Sequence, residues 1–117
     1  MKVNIKATNL ELTAEIREAV EEKISTLDKF ISDTKVPLEA FVEVALTNRH
    51  HQKGNIYYAE VNIGLPGRII RSEAREENIF KAINTVKDEL QLLLKKYSKS
   101  KLARGKSRLG IKKRSKS

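Results

Sequence analysis

Apolar residues recur with two different spacings along this chain, and the order of those spacings limits the fold. Alternation of apolar and polar residues, which is typical of half-buried strands, covers four segments: 1–8, 38–47, 57–65 and 68–74. Apolar residues three and four apart, which are typical of amphipathic helices, occur in segments that begin at Thr13 and at about Asn78. The sequence therefore predicts an α+β fold in the order β-α-β-β-β-α, with both helices packed on one face of a four-stranded sheet.

Residues with known conformational preferences mark the ends of these elements. Thr13 can cap the N-terminus of the first helix, which is predicted to end near Phe30. Pro66 and Gly67 predict a tight turn between the third and fourth strands. The polar segment 48–55 predicts a hairpin loop between the second and third strands. These turns make the last three strands an antiparallel meander.

Charge is segregated along the chain. Residues 95–117 contain eleven of the 24 Lys and Arg residues and no Asp or Glu, whereas residues 1–94 contain 13 basic and 15 acidic residues. A segment that carries only positive charge binds polyanions through their phosphates, because binding releases condensed counterions. The second helix is predicted to end at Tyr97, and residues 98–117 are predicted to be a disordered basic tail, because their composition cannot offset the backbone entropy lost on folding. Residues 1–97 are then expected to form one folded domain.

The sequence offers no constellation for catalysis or metal binding. It has no Cys, which excludes disulfides and thiolate chemistry. His50 and His51 are the two histidines, but adjacent side chains rarely converge on one ion, and the next carboxylate along the chain is Glu60. No glycine-rich phosphate loop or nucleophile motif follows a strand. We therefore expect a protein that is not an enzyme and that uses no cofactor, no metal and no small-molecule substrate.

No sequence feature predicts a membrane partner. No apolar run approaches the roughly 20 residues that span a bilayer, and the N-terminus enters a strand pattern directly. The basic tail has no aromatic residue that would anchor it at a membrane surface. We expect a cytoplasmic protein whose basic residues bind phosphate.

Basic residues outside the second helix are candidate contacts with RNA. The predicted hairpin loop carries four of them, Arg49, His50, His51 and Lys53. Their planar rings and charges suit stacking on unpaired bases and contact with phosphate, although ordinary solvated loop polarity is the alternative. Two more, Arg71 and Arg75, belong to the region of the fourth strand, where Arg71 points away from the apolar side. In the basic tail, Lys101 and Arg104 are further candidate contacts with RNA.

Three stretches resemble the ribosome hibernation promoting factors, also called ribosome-associated translation inhibitors, over residues 2 to about 99. They are Val3-Asn4-Ile5-Lys6 with Leu12-Thr13-Ala14-Glu15-Ile16-Arg17, then Ala59-Glu60-Val61-Asn62-Ile63 with Pro66-Gly67, then Glu77-Asn78-Ile79-Phe80-Lys81-Ala82-Ile83-Asn84. The resemblance implies a fold similar to the double-stranded RNA-binding domain. It also implies docking in the small ribosomal subunit where mRNA and tRNA bind, which blocks initiation and preserves idle ribosomes under stress or in stationary phase.

The family contacts ribosomal RNA through basic side chains along the second helix and nearby loops. The positions here that match in type are Lys87, Lys95, Lys96 and Lys99. Glu89 and Leu92 stand where the family often has Lys or Arg, and Asn78 and Phe80 replace the usual Asp and Tyr. The middle of this helix is therefore less basic, and the tail is expected to compensate. The resemblance is to a short form without the second dimerising domain, expected to be monomeric away from the ribosome.

Two other functions are compatible with the same features. A general RNA-binding or RNA chaperone module would need only the basic tail and no ribosomal site. A protein-interaction module would use one acidic face of the first helix, formed by Glu11, Glu15, Glu18 and Glu22, against a basic partner. Competition with mRNA or tRNA separates the first alternative from ribosome binding, and nuclease treatment separates the second.

Overall fold

The computed structural model describes residues 1–31, 38–47 and 54–108, with side chains described as far as Lys99. The strands are β1 (Lys2–Thr8), β2 (Glu39–Thr47), β3 (Ile56–Leu65) and β4 (Arg68–Glu76). The helices are α1 (Ala14–Ser25), which continues into a short 3-10 helix (Thr26–Phe30), and α2 (Ile79–Arg108). The β-α-β-β-β-α order and the α+β class confirm the prediction from apolar spacing.

The four strands form one sheet in the order β1-β2-β3-β4. β1 pairs with β2 in parallel, which requires the crossover that α1 provides. β2, β3 and β4 pair antiparallel and form the expected meander. The two-residue turn at Pro66 and Gly67 joins β3 to β4, and Gly67 has a φ of +84°, a left-handed conformation that costs glycine nothing.

One hydrophobic core lies between the sheet and the two helices. The strands contribute their alternating inward residues, such as Val42, Val61 and Ile70, while Ile24 of α1 and Leu90 of α2 close the core from the other side. All five are buried. Both apolar helix stripes therefore pack on the same face of the sheet, as the sequence predicts.

The opposite face of the sheet has no helix against it in the part of the chain that the structure describes, and we call it the open face. Alternation along the strands and the pairing register assign to it Lys2, Asn4, Lys6 and Thr8 of β1, Glu39, Phe41, Glu43 and Ala45 of β2, Tyr58, Glu60, Asn62 and Gly64 of β3, and Ile69, Arg71, Glu73 and Arg75 of β4. Most of these residues are polar or charged, which agrees with a face that contacts solvent.

The end of α2 corrects the prediction. The helix does not stop at Tyr97 but continues to Arg108, so residues 98–108 are helical rather than disordered. A helix satisfies its own backbone hydrogen bonds, and extension from a packed helix needs no new nucleation. Lys, Leu, Ala and Arg, which make up residues 101–104, are also good helix formers. The extension is about 16 Å long at 1.5 Å per residue. Residues 109–117 lie outside the described part of the chain.

Candidate nucleic-acid interface

Helix α2 is positioned at its N-terminus by Asn78. The Asn78 side-chain oxygen accepts hydrogen bonds from the backbone N–H groups of Phe80 at 2.7 Å and Lys81 at 3.3 Å. This cap satisfies two of the backbone donors that a helix leaves without partners at its start. The first turn of α2 therefore has a fixed backbone.

The C-terminal part of the packed helix is held by contacts with two other elements. The Tyr97 hydroxyl donates to the carbonyl oxygen of Pro66 at 3.2 Å, which ties the helix to the β3–β4 turn. The Ser98 hydroxyl donates to the carbonyl oxygen of Phe30 at 2.9 Å, which ties it to the end of the first helical segment. The Lys95 ammonium lies 5.6 Å from the centre of the Phe30 ring, within the range of a cation–π contact.

Three predicted RNA-binding lysines extend from this supported region. Lys95, Lys96 and Lys99 are exposed. None of them forms an ion pair with any residue among 1–31, 38–47 and 54–99. Their charges are therefore available to a phosphate without the loss of an existing ion pair. We call these three residues the α2 lysines.

Lys87 has a different environment, although it was predicted together with the α2 lysines. Its side chain is only 22% exposed, and its ammonium lies 3.6 Å from the Asp88 carboxylate. A contact with phosphate would have to compete with this neighbouring charge. Its role in RNA binding stays a prediction.

Glu89, one of two acidic residues in the middle of α2, has a partner on the sheet. The Ser72 hydroxyl on β4, which is 4% exposed, donates a hydrogen bond to the Glu89 carboxylate. A buried hydroxyl without a partner would destabilise the fold, so a carboxylate at position 89 links α2 to the sheet. The departure from the family's basic pattern at this position therefore follows from the residue that it faces on β4.

Arg71 and Arg75 lie on the open face, separated from the α2 lysines by the sheet and the core. The Arg71 guanidinium contacts Glu60 at 2.9 Å and Glu73 at 3.1 Å. The Arg75 guanidinium carbon lies 4.8 Å from the centre of the Tyr58 ring. Both side chains are thus engaged within the protein, and the structure does not bring them into one surface with the α2 lysines.

Tyr58, Glu60, Arg71 and Glu73 are joined by hydrogen bonds, and we call them the open-face network. These hydrogen bonds shift the pKa values of Glu60 and Tyr58. Hydrogen bonds from Arg71, Tyr58 and Asn62 lower the pKa of Glu60 to about 2 from an ordinary value of 4.5. The Tyr58 hydroxyl lies 2.7 Å from carboxylate oxygens of both Glu60 and Glu73. Burial and these two carboxylates raise the pKa of Tyr58. The network therefore stays charged but internally compensated.

The other predicted contacts lie outside the described side chains. Arg49, His50, His51 and Lys53 lie outside the described residues, and so do the side chains of Lys101 and Arg104. The α-helical backbone does include positions 101 and 104. Where the structure is described, no group of three or more His, Cys, Asp or Glu side chains could hold a metal ion. No helix in those ranges is both long and apolar enough to cross a membrane.

The two α-helices and the 3-10 helix form a layer on the sheet, which we call the helical layer. A second surface on this layer was not predicted from the sequence. Phe80 is exposed at the start of α2, and it lines a shallow depression together with Lys23, Glu77, Asn78, Lys81 and Asn84. The sequence contained one signal for it. Phe80 follows the buried Ile79 and lies off the apolar stripe of α2, where a core role is not expected.

Comparisons with known proteins agree with this geometry. The family model described as Sigma 54 modulation protein / S30EA ribosomal protein matches residues 3–102. The ribosome hibernation promotion factor of Deinococcus radiodurans is 35% identical over 92 residues, covering 76% of this chain and 44% of that protein. The protein of the same name from Bacillus subtilis is 29% identical over 97 residues, covering 83% of this chain and 48% of that protein. The chain thus spans about half the length of these relatives.

Solved structures give the same result. The N-terminal domain of Protein Y from Thermus thermophilus superimposes with a TM-score of 0.69 at 28% identity, covering 83% of this chain and 99% of that domain. A ribosomal subunit interface protein from Coxiella burnetii shares the fold at 18% identity, with a TM-score of 0.64 over 83% of this chain and 97% of its own. Since the family model covers most of the sequence and the fold agrees, the chain belongs to the Sigma 54 modulation protein / S30EA ribosomal protein family, which includes the ribosome hibernation promotion factors.

Proposed function

We propose that this protein is a ribosome hibernation factor that binds the small ribosomal subunit in the region of mRNA and tRNA, and so blocks initiation while ribosomes are idle. Family membership carries the proposal, because relatives that match over this region are ribosome hibernation promotion factors. The α2 lysines support it. They form an exposed basic surface on a helix that is fixed at both ends of its packed part.

Binding would act by occupation of a site rather than by turnover. Lysine ammonium groups contact phosphate oxygens and release counterions, which gives affinity without a chemical step. No cofactor enters this mechanism. Because the partner is the ribosome, the protein would act in the cytoplasm, and we propose a monomer away from the ribosome.

The helical extension of α2 adds to this surface. Residues 98–117 carry eight basic residues in addition to Lys99 and no acidic residue, and the backbone is helical as far as Arg108. We propose that this segment strengthens binding and compensates for the acidic residues in the middle of α2. It would do so through phosphate contact, with no requirement for a particular RNA sequence.

Co-sedimentation with purified small ribosomal subunits tests the function. We expect saturable binding that falls as salt rises and that saturating mRNA with initiator tRNA displaces. Binding that salt abolishes but these ligands do not displace would contradict the proposed site. It would instead indicate a general RNA-binding module.

Truncation after Tyr97 tests the extension in the same assay. The truncated chain keeps the buried residues of α2 as far as Tyr97 and loses the hydrogen bond from Ser98 to Phe30, so it should still fold. It also loses Lys99 with the rest of the extension, and it should bind small subunits more weakly and with a flatter salt dependence. If the full chain neutralises about five phosphates, the slope of log affinity against log salt is roughly −3.5 to −4.5, and the truncated chain should have a smaller slope. Equal affinity and slope for the two chains would contradict a role for the extension.

A further inference from the structure

Phe80 is an exposed aromatic ring that the core does not explain. It is 44% exposed. Burial of a phenylalanine side chain stabilises a fold, and much of that gain is forgone here. The Asn78 cap holds the backbone of Phe80 in place through the hydrogen bond to its N–H. The base of the side chain is therefore fixed relative to α2, while much of the ring remains open to solvent.

The surroundings of the ring are polar and mostly suited to a nucleotide. Lys23 of α1 and Lys81 and Asn84 of α2 line the same depression. The Asn84 side chain is exposed and forms no hydrogen bond with the residues whose side chains are described. Lys81 contacts Glu76 at 3.9 Å, but its side chain is 61% exposed, and surface pairs of this kind contribute little. Glu77 is the acidic residue that lines the depression.

Two residues that line the depression share a helix face with two of the α2 lysines. Lys81, Asn84, Lys95 and Lys99 lie on one face of α2, because their spacings keep them within about 60° around a helix of 3.6 residues per turn. Lys81 and Lys99 are about 27 Å apart along the axis at 1.5 Å per residue. The exposed Asp88 carboxylate lies on the same face between Asn84 and Lys95, and the Lys87 ammonium 3.6 Å away partly neutralises it. A single strand of RNA that contacts Lys95 and Lys99 can therefore reach Phe80 along this face.

We propose that this depression binds an unpaired nucleotide of RNA, with its base stacked on Phe80, its base edge against the Asn84 amide, and the neighbouring phosphates against Lys23 and Lys81. Stacking on an aromatic ring is how proteins hold unpaired bases, and an amide can donate to and accept from a base edge. This inference rests on the proposed function, since it names the RNA feature that the helical layer binds.

A second exposed phenylalanine, Phe41, has surroundings of the opposite charge to those of Phe80. Phe41 on the open face is 53% exposed, and it lines a depression that contains one basic side chain, Lys6, and two carboxylates, those of Glu43 and Glu60. These carboxylates repel phosphate, whereas Lys23 and Lys81 attract it. Phe41 is therefore the matched control for Phe80, with similar exposure and surroundings that disfavour RNA.

The experiment measures the affinity of the full chain for purified small ribosomal subunits. Variants Phe80→Ala and Phe80→Leu remove the ring, and Phe80→Leu keeps most of the apolar area. Base–aromatic stacking of about 1–3 kcal/mol corresponds to about 5- to 150-fold in affinity. We expect both variants to bind more weakly by such a factor and Phe41→Ala to bind like the wild type. Circular dichroism and thermal unfolding check that the variants fold.

A fluorescent substitution tests whether the ring itself meets a base. The chain has no Trp, so Phe80→Trp places a single reporter at this position, and the same mixture with the wild-type chain gives the ribosomal background. We expect the emission of this reporter to be quenched on binding to small subunits, while that of Phe41→Trp changes little.

The outcomes are distinct. If the wild-type chain does not bind small subunits, the proposed function fails and this inference fails with it. If the wild-type chain binds but Phe80→Leu binds equally well, the inference alone is overturned. Weaker binding of Phe80→Ala without quenching of the Trp reporter would also overturn it, because the contact would then be with protein and not with a base.

Discussion

Both faces of this molecule carry basic side chains, but the surroundings of these side chains differ. On the open face, Arg71 is paired with Glu60 and Glu73, and Arg75 lies over Tyr58. On the helical layer, Lys96 and Lys99 are exposed and form no ion pair with the described residues. If the α2 lysines bind RNA as proposed, the count of basic residues does not identify the binding surface. We expect pairing within the protein, above all with neighbouring carboxylates, to decide which basic residues are available.

The strongest test of this difference removes three charges from either face. Replacement of the α2 lysines by Gln should weaken small-subunit binding by about 10- to 150-fold, at ~0.5–1 kcal/mol per lysine. It should also reduce the salt slope by about 2 to 3, because each lost phosphate contact removes nearly one released counterion. Titration of binding against salt measures both quantities.

The matched control replaces Lys2, Lys6 and Arg75 of the open face by Gln. It removes the same formal charge from the opposite side of the sheet. We expect a small effect from long-range attraction and an almost unchanged salt slope. Equal losses for the two triple variants would show that only net charge matters, and the comparison between the faces would be wrong.

A smaller effect, on the free energy of unfolding, is expected for the Glu89 carboxylate of the helical layer. Glu89→Ala leaves the buried Ser72 hydroxyl without its partner, which should lower the free energy of unfolding by about 1–2 kcal/mol. Subunit binding should not weaken, since the variant removes a negative charge from α2. Denaturant unfolding measures the stability. Glu22→Ala, on the exposed side of α1, is the control and should stay within about 0.5 kcal/mol of wild type.

The Ser72→Ala variant completes this test. If the hydrogen bond explains the effect of Glu89→Ala, then Glu89→Ala should destabilise the Ser72→Ala background much less than it destabilises the wild type. An equal loss in both backgrounds would assign the effect of Glu89 to something other than Ser72.

The smallest effect concerns the acid stability of the open face. The pKa of Glu60 is lowered to about 2 in the folded protein from an ordinary 4.5. Its carboxylate therefore contributes stability that is complete above pH 4.5 and is lost as the pH falls from there towards 2. Glu60→Gln should flatten the fall of the unfolding temperature over this pH range without a change in subunit binding at neutral pH. Glu18→Gln on α1 should keep the wild-type dependence, and a Glu60→Gln variant with the same dependence would contradict the assignment.

The sequence predicted the fold well because the fold depends on local patterns. Alternation placed Val42, Val61 and Ile70 on the inner face, and Thr13 caps α1 by accepting a hydrogen bond from the N–H of Ile16 at 3.2 Å. The end of α2 was predicted wrongly. Composition indicated that residues 98–108 would gain nothing by packing, but a helix that extends from a packed end needs no packing of its own.

The candidate site was predictable only in part. The resemblance identified the α2 lysines by position, since a helix displays them wherever its apolar stripe is buried. Their basic character alone made Arg71 and Arg75 candidates too, because sequence does not show that Glu60, eleven residues before Arg71, lies beside it across two strands. Phe80 was quoted as a family position but not as a surface, because its exposure depends on how α1 and α2 leave a depression between them.

The sequence alone therefore determined the order of elements, the side of each element that is buried, and the excess of positive charge near the C-terminus. These properties follow from spacing and composition, which act over a few residues. Only the tertiary structure decided which charges are paired, since strand pairing and helix packing bring together residues far apart in the chain. The interaction between two charges depends on their distance in space and not on their separation in sequence. The basic side chains without a carboxylate partner could therefore be identified only in the folded structure.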